Sequence, residues 1–439
     1  HLCILSSMNQ ENLEHTHNTS NMRKVALTAL AGTSIEWYDF FLYGAAAALI
    51  FPTVFFGEET PSTALILSLL TFAAGFIARP IGGIIFGHFG DKIGRKKTLI
   101  SALILMGISS TLIGLLPTYA MIGVTAPILL TLLRFAQGLA IGGQWGGAML
   151  LVTESAPSNQ RGYYGAFAQA GAPIGVILAN LALIITSALV SEEFFNTWGW
   201  RIPFLASSVL IVISMYIQLN LEDTKAFKEL VLHRNEQQDD AESVIQRSPI
   251  IEAIRKYPKR IILAAGAFIS VQVTFYILIA FLLAYGVQSV NMARDDMLAA
   301  VLIASAIMVP VQFVFSSYSD RHGRRGIFML GAVLSGLWAF AIFPLVDTGS
   351  FWLIVLAITG GLVFLAMMYG PQAAFFTELF STEVRYSGAT LGYQFGAIIG
   401  GAFAPTIAVK LWTELDIFWV SVYIAFAALL SLLSVMALT

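Results

Sequence analysis

The chain has 439 residues, of which 57% are hydrophobic and only 11% are charged, whereas a soluble domain carries about 25% charged residues. This composition is typical of a protein that crosses a lipid bilayer many times. The formal net charge of −2 argues against a nucleic-acid-binding protein, which would present a basic surface. The single cysteine, Cys3, excludes an intrachain disulfide and a cysteine-based metal site.

The first 24 residues are polar and lack the apolar stretch and the cleavage site of a signal peptide. We expect residues 1–24 to form a cytoplasmic N-terminal tail. Residues 1–7 precede Met8, and the sequence leaves open whether they are native.

A membrane-spanning helix needs roughly 20 mainly apolar residues. Twelve stretches meet this requirement, at about 27–51, 65–88, 98–116, 122–152, 163–188, 203–220, 261–287, 297–317, 327–346, 351–375, 387–410 and 417–437. A polar and charged segment, 221–260, separates the first six from the last six. The sequence therefore predicts an all-α membrane protein with twelve transmembrane helices. Its predicted parts are an N-terminal six-helix bundle at 25–220, a cytoplasmic linker at 221–260 and a C-terminal six-helix bundle at 261–439.

The distribution of basic residues predicts the orientation in the membrane. If both termini lie on one side, the tail and the even-numbered loops collect most of the 24 Lys and Arg residues. Lys and Arg are enriched in the cytoplasmic loops of membrane proteins. We therefore expect a multi-pass protein whose termini are both cytoplasmic.

The two halves of the chain repeat each other. "GHFGDKIGRKK" at 87–97 matches "SYSDRHGRRG" at 317–326, and "ESAPSNQRGYYGAFAQAGAPIG" at 154–175 matches "ELFSTEVRYSGATLGYQFGAIIG" at 378–400. The two pairs of motifs are separated by nearly the same number of residues. Two related six-helix bundles around a central cavity are typical of an alternating-access transporter.

The first pair of motifs predicts a cytoplasmic gate. Asp91 and Arg95, and likewise Asp320 and Arg324, are four residues apart, so each pair can form an ion pair on one helical turn. Such a pair would hold two helix ends together in one state of a transport cycle and release them in the other. The alternative is that the basic residues of these motifs only anchor the topology.

Several motifs together resemble the metabolite:proton symporter family of the major facilitator superfamily. They are "EWYDFFLYG", "ARPIGGIIFGHFGD", "RFAQGLAIGGQWGGA", "ESAPSNQRG", "WGWRIPF" and "ELFSTEVRYSGATLGYQFGAIIGG". Members of this family carry shikimate, α-ketoglutarate, citrate, and proline or betaine, and the shikimate branch is the most similar by eye. Fosfomycin export is also ascribed to a relative of this kind. The resemblance implies a location in the bacterial cytoplasmic (inner) membrane and a proton gradient in place of any cofactor.

Two carboxylates stand out in the first predicted span. Glu36, Asp39 and Tyr43 lie on one face of a helix, and a charge facing lipid would be costly. Arg79 and Arg134, which lie within other predicted spans, are the available partners. Sugar porters of the same superfamily pair an acid in span 1 with an arginine in span 4. We therefore predict that Asp39, Glu36 and Arg134 couple transport to protons; the alternative is a static ion pair that fixes helix packing.

One position departs from the family pattern. Relatives usually have "GGEW" or "GGEY" after the span-4 arginine, whereas this chain reads "GGQWGG" with Gln144. If the glutamate of relatives contributes to coupling, this protein has one protonatable group fewer. The consequence would be an altered stoichiometry, exchange transport or a more anionic ligand. A local exchange of hydrogen bonds is the alternative interpretation.

Polar residues in the middle of spans predict the substrate site. The only cations there are Arg79 and Arg134, which suits a monoanion, a zwitterion or a polyhydroxy acid such as shikimate better than a tricarboxylate. Each amide could instead serve helix packing, and Arg79 could belong to a structural pair. The predicted substrate-binding residues are Arg79, Tyr43, Gln137, Gln144, Trp145, Gln169, Tyr276, Tyr369 and Gln394.

The sequence thus predicts a proton-coupled secondary active transporter of a small organic acid or zwitterion, acting as a monomer in the lipid bilayer. Proton-driven efflux of an anionic drug such as fosfomycin is the alternative. The chain contains no phosphate-binding G-x-x-x-x-G-K-[ST] motif and no catalytic or metal-binding motif of a membrane enzyme. The exact substrate, the direction of transport and the proton stoichiometry stay open.

Overall fold

The computed structural model describes residues 2–93, 95–144, 153, 156–223, 228, 232, 249–380 and 385–438. Within these residues the chain is almost entirely helical and contains no β-strand. The long helices are α1 (Leu2–Leu49), α2 (Pro61–Ile93), α3 (Arg95–Leu115), α4 (Thr125–Gln144), α5 (Arg161–Leu189), α6 (Ile202–Asp223), α7 (Pro258–Gln288), α8 (Arg294–His322), α9 (Arg324–Asp347), α10 (Phe351–Glu378), α11 (Arg385–Gly396, Ala397–Ala402 and Ala404–Glu414) and α12 (Ile417–Ala437). Short helices lie between them at Phe51–Phe55, Tyr119–Ile122, Glu192–Thr197, Gly199–Arg201 and Pro249–Lys256.

Eleven of these helices, α2 to α12, are long and apolar enough to cross a membrane. Helix α1 is the twelfth: its second half packs against α5, α6 and α2 inside the bundle. The prediction of an all-α membrane protein with twelve spanning helices is therefore confirmed. The boundaries predicted for the tail, the two bundles and the linker stay predictions.

The helix contacts reveal the internal repeat in three dimensions. In the first half, α1 packs on α5 and α6, α2 packs on α4, and α3 packs on α4 and α6. In the second half, each contact recurs between the helices six places later, since α7 packs on α11 and α12, α8 on α10, and α9 on α10 and α12. The halves meet through α5 with α8 and α10, through α2 with α11, and through α1 with α7. The two bundles are thus pseudo-symmetric and surround a shared centre.

Helices α7 and α11 pack against each other in the second half, and each contains a π-helical turn. The turns lie at Ile277–Phe281 in α7 and Ala397–Ala402 in α11. Such turns insert an extra residue into the helix and are frequent at functional sites. In α7 the turn begins directly after Tyr276, a residue that lines the central cavity described below.

Two adjacent glycines of α2 provide a test of its close packing on α4. A Cβ at Gly82 would collide with the carbonyl oxygen of Leu139, whereas the nearest atom to a Cβ at Gly83 is the Gly142 carbonyl oxygen at 3.4 Å. We expect Gly82→Ala to destabilise the protein by at least about 1–3 kcal/mol through overpacking. Gly83→Ala serves as the matched control and should leave the thermal unfolding temperature in detergent unchanged or higher. Equal melting of the two variants would contradict the close contact.

Candidate substrate and proton-coupling site

A small central cavity of about 20 Å³ lies between the two halves, which in this conformation leaves room for little more than one water molecule. Helices α1, α5, α7, α10 and α11 contribute to its walls. Its lining residues are Trp37, Phe41, Ala172, Val271, Gln272, Phe275, Tyr276, Leu365, Tyr369 and Tyr393. Aromatic rings therefore surround a few polar groups, and the two halves would have to move apart before an organic molecule could fit between them.

Glu36 and Asp39 are buried and both face α6. Asp39 Oδ1 accepts a hydrogen bond from the Ser207 hydroxyl, and Glu36 Oε1 accepts one from the Gln218 side-chain amide. Among the residues that the structure describes, no ion pair joins either carboxylate to an arginine. The expected pairing with Arg79 or Arg134 is therefore corrected: neutral groups of α6 bind both carboxylates in this conformation.

Arg79 and Arg134 are buried in a cluster of aromatic rings. Phe40 contacts both, with its ring centroid 4.2 Å from Arg79 Cζ and 4.0 Å from Arg134 Cζ. The remaining rings within reach of a guanidinium are Trp37, Tyr43, Phe72 and Phe76. These cation–π contacts replace only part of the lost hydration, because Arg79 Nε and Nη2 and Arg134 Nη2 have no hydrogen-bond partner within the described part of the chain. The site therefore holds buried N–H donors that an anion could satisfy.

A chain of polar side chains connects Arg134 with Asp39. Arg134 Nη1 donates to Gln137 Oε1 at 3.0 Å, and Gln137 Nε2 donates to Ser110 Oγ at 2.7 Å. Asp39 Oδ2 has no well-aligned donor among the described residues, but the Ser110 hydroxyl lies within interaction range of the carboxylate. The predicted site residue Gln137 thus contacts Arg134 and α3.

The other predicted substrate-binding residues take different positions. Tyr276 and Tyr369 line the cavity, and Gln169 Nε2 bridges the two halves by donating to the Tyr369 carbonyl oxygen at 3.2 Å. Tyr43 lies deeper, hydrogen-bonded to Thr71 at 2.6 Å.

Gln394 of α11 is buried, and its Oε1 atom has no hydrogen-bond partner in the described part of the chain. The Gln144 side chain and the whole of Trp145 lie outside the described residues. The roles predicted for all the substrate-binding residues stay predictions.

Sequence reasoning missed the residues that bind the carboxylates, namely Ser207, Gln218 and Ser110. Gln218 could have been found, because an amide within an apolar helix needs a partner. The serines carry no such signal, since a serine in a helix often bonds its own backbone. Ser109 does so by donating to the Leu105 carbonyl oxygen at 2.7 Å. The next residue, Ser110, instead accepts a hydrogen bond from Gln137.

At one end of the bundle, which we call the basic end, the start of α5 meets the end of α8. Asp320 accepts hydrogen bonds from the backbone N–H groups of Gly162 at 2.7 Å and Tyr163 at 2.9 Å. Arg324 Nη1 lies 2.7 Å from Asp320 Oδ1, and Arg324 Nη2 lies 3.0 Å from Glu378 Oε1. A carboxylate from one half therefore binds the positive N-terminus of a helix from the other half.

Of the two motifs predicted to form the gate, the structure describes the side chains of the second, at 317–326. Asp320, in the last turn of α8, and Arg324, the first residue of α9, form an ion pair across the corner between these helices and not on one helical turn as expected, because Gly323 ends α8 between them. Asp320 also connects the two halves. The side chains of Asp91 and Arg95 lie outside the described residues. The gating role of all four stays a prediction.

At the opposite end, the end of α5 meets the start of α8. Arg294 Nη2 lies 3.1 Å from Glu192 Oε2, and the Ser187 hydroxyl donates to Asp295 Oδ2 at 2.9 Å. Helices α5 and α8 are therefore bonded to each other at both ends, with the cavity between the ends. Transport would require that each set of contacts break in turn.

Asp320→Asn is expected to open the basic end, because the amide removes the charge that binds the α5 N-terminus and Arg324. Ser316→Cys, buried in α8 at the contact between the halves, provides a reporter in a Cys3→Ser background. We expect Asp320→Asn to make the maleimide labelling of this cysteine in proteoliposomes about tenfold faster. Asp296→Asn, an exposed change at the other end of the same helix, should leave the rate unchanged. Equal rates in both variants would argue against the gate.

The chain has twelve spanning helices in two related halves, with buried charges beside a central cavity. This architecture is typical of a membrane transporter. The chain belongs to the Major Facilitator Superfamily, whose family model matches residues 40–391. It is 38% identical over 432 residues to the inner membrane metabolite transport protein YhjE of Escherichia coli (strain K12), covering 96% of both chains. It is 37% identical over 421 residues to the shikimate transporter of the same organism, covering 95% of this chain and 94% of the relative.

A solved structure shows the same fold at low sequence identity. The structure of the proton:xylose symporter XylE bound to 6-bromo-6-deoxy-D-glucose matches with a TM-score of 0.71 at 16% identity, covering 95% of both chains. The prediction of a major facilitator transporter, not an enzyme, is confirmed. The protein is a multi-pass membrane transporter of metabolites.

Proposed function

We propose that this protein is a proton-coupled secondary active transporter of a small polar monoanion, such as shikimate, or of a zwitterion. The observation that carries the proposal is the charge arrangement beside the cavity. Arg79 and Arg134 keep unpartnered buried N–H groups, while the carboxylates of Glu36 and Asp39 are bound by neutral groups. A buried cation without a counter-ion is costly, so an incoming carboxylate gains both charge neutralisation and hydrogen bonds.

The substrate anion would reach the arginines from the cavity. Arg79 Cζ lies 5.1 Å from the centroid of the Trp37 ring, and the Tyr276 hydroxyl lies within interaction range of its guanidinium. Both aromatic residues also line the cavity. A carboxylate between Trp37 and Tyr276 could therefore meet Arg79, with hydroxyl or ammonium groups of the substrate toward Gln272 and Tyr369.

Proton coupling follows from the same electrostatics. The positive charge of Arg134 favours the ionised form of Asp39, because an opposite charge nearby stabilises a carboxylate. Substrate binding neutralises that charge, and Asp39 then takes up a proton. The loaded site carries proton and anion together, so rearrangement of the two halves moves both across the membrane by alternating access.

The name of one relative, an inner membrane metabolite transport protein, supports the bacterial inner membrane as the location. The basic loops support an orientation with both termini in the cytoplasm. A monomer suffices for the mechanism, because the cavity lies between the two halves of a single chain.

The proposal is tested by recording charge movement with reconstituted protein on a solid-supported membrane at two pH values. The compounds are shikimate, α-ketoglutarate, citrate, proline, betaine and fosfomycin. A saturable current with shikimate or a zwitterion that grows with the proton gradient is the expected result. A current with citrate alone would contradict the proposed monoanion. A current confined to fosfomycin would favour proton-driven efflux of an anionic drug, the second candidate, which the same two arginines could serve.

A further inference from the structure

The polar chain between Arg134 and Asp39 has a fixed direction. A guanidinium can only donate hydrogen bonds, so the Gln137 carbonyl oxygen must face Arg134, and its amide N–H must face Ser110. Ser110 Oγ therefore accepts from Gln137. The Ser110 hydrogen is then free to turn to the Asp39 carboxylate, which lies within its interaction range and whose Oδ2 atom lacks a well-aligned donor within the described residues.

Few charged or titratable groups act on Asp39. They are Glu36 and Tyr38 of α1 and Arg134 of α4, and Arg79 of α2 acts on Arg134. The groups that α6 and α3 direct at Asp39 are the neutral hydroxyls of Ser207 and Ser110. Arg134 makes no ion pair with Asp39 among the described residues. Besides their direct electrostatic attraction, the hydrogen-bonded path from Arg134 toward Asp39 passes through Gln137 and Ser110.

We propose that Gln137 and Ser110 are positioning residues that relay the hydrogen bonding of Arg134 to Asp39 and so set when Asp39 binds a proton. This inference rests on the proposed function and deepens it. While Arg134 donates to Gln137, Ser110 is oriented as a donor and stabilises the Asp39 carboxylate. When Arg134 turns its Nη1 atom to a substrate anion, the Gln137 amide is released, and the Ser110 hydroxyl becomes free to accept a hydrogen bond from a protonated Asp39.

The relay is tested without substrate or proton gradient, by infrared titration of the Asp39 carboxyl band in proteoliposomes. The band is identified by its loss in Asp39→Asn. Ser110→Ala removes the donor, and we expect the midpoint to move to higher pH by about one pH unit, a tenfold change in proton affinity. Gln137→Met, which keeps the shape but not the hydrogen bonds, should move it in the same direction. Ser109→Ala, a buried serine that bonds its own helix, should leave the midpoint at the wild-type value.

The double variant Ser110→Ala/Gln137→Met discriminates a relay from two separate effects. In a relay, Gln137 acts through Ser110, so the double variant should shift the midpoint no further than Ser110→Ala alone. Equal midpoints for Ser110→Ala and Ser109→Ala, no shift in Gln137→Met, additive shifts, or an Asp39 band that does not titrate would each overturn the inference.

This result is separable from the proposed function. If the shifts occur but the wild-type protein gives no proton-dependent current with any compound, the relay stands and proton-coupled transport fails. If the currents depend on the proton gradient but the midpoints do not shift, the proposed function stands and the relay fails.

Discussion

Asp39→Asn is expected to abolish accumulation of substrate against its gradient, so that the internal concentration only equals the external one. Asparagine has nearly the same shape, and its carbonyl oxygen can still accept the Ser207 hydrogen bond, but it cannot take up a proton. Exchange of internal for external substrate needs no net proton movement and should persist. The measurement is radiolabelled uptake by proteoliposomes under an imposed pH gradient, compared with counterflow at equal pH.

The control for this variant is Asp296→Asn, which changes an exposed carboxylate at the start of α8 and should accumulate substrate normally. Glu36→Gln discriminates between the two carboxylates of α1. Because the Gln218 amide binds Glu36, we expect this variant to retain part of the accumulation. Full pH-driven accumulation by Asp39→Asn would show that the carboxylate has a structural role only.

The fold was predictable because its signals are local. Each apolar run, including 27–51 with its two carboxylates, is long enough to cross a bilayer, and the repeated motifs at 87–97 and 317–326 already indicated two related halves. The structure adds the helix pairings that recur in both halves, such as α2 with α4 in the first half and α8 with α10 in the second. Such pairings depend on contacts between residues that are distant in sequence, and the hydrophobic pattern of a single helix does not indicate them.

The composition of the candidate site was predictable, but its connections were not. Glu36, Asp39, Arg79 and Arg134 stand out because charges in a membrane span are rare. Their partners depend on how the helices are rotated relative to one another. The sequence suggested ion pairs, whereas the structure stacks both arginines on Phe40. Aromatic residues are so common in these helices that none of them indicated a cation–π role.

The stacking of the arginines has a mechanistic consequence. A direct ion pair would already satisfy each guanidinium, and a substrate would have to displace a carboxylate in order to bind. A guanidinium on an aromatic face keeps its N–H groups available in its own plane. The structure therefore leaves N–H groups of both arginines available to an anion, while side chains of α6 bind the two carboxylates of α1.

Arg79→Gln is expected to raise the KM for an anionic substrate about 10- to 100-fold, the loss of one hydrogen-bonded charge pair. Arg79 is the more informative of the two arginines because it contacts Trp37 and Tyr276, which line the cavity. In addition, its Nε and Nη2 atoms lack partners in the described part of the chain. Arg79→Lys keeps the charge but not the planar geometry, and should fall between the wild type and Arg79→Gln.

The probe pair for this test is shikimate and its methyl ester, which differ in the carboxylate charge. Binding of each is measured by competition against the labelled substrate that the current recordings identify. If Arg79 contacts the carboxylate, the wild-type protein prefers the acid, and Arg79→Gln loses this preference because only the acid binds more weakly. Equal weakening of both ligands would mean that Arg79 shapes the aromatic wall of the cavity without contacting the anion, and the carboxylate would then have to be assigned to Arg134.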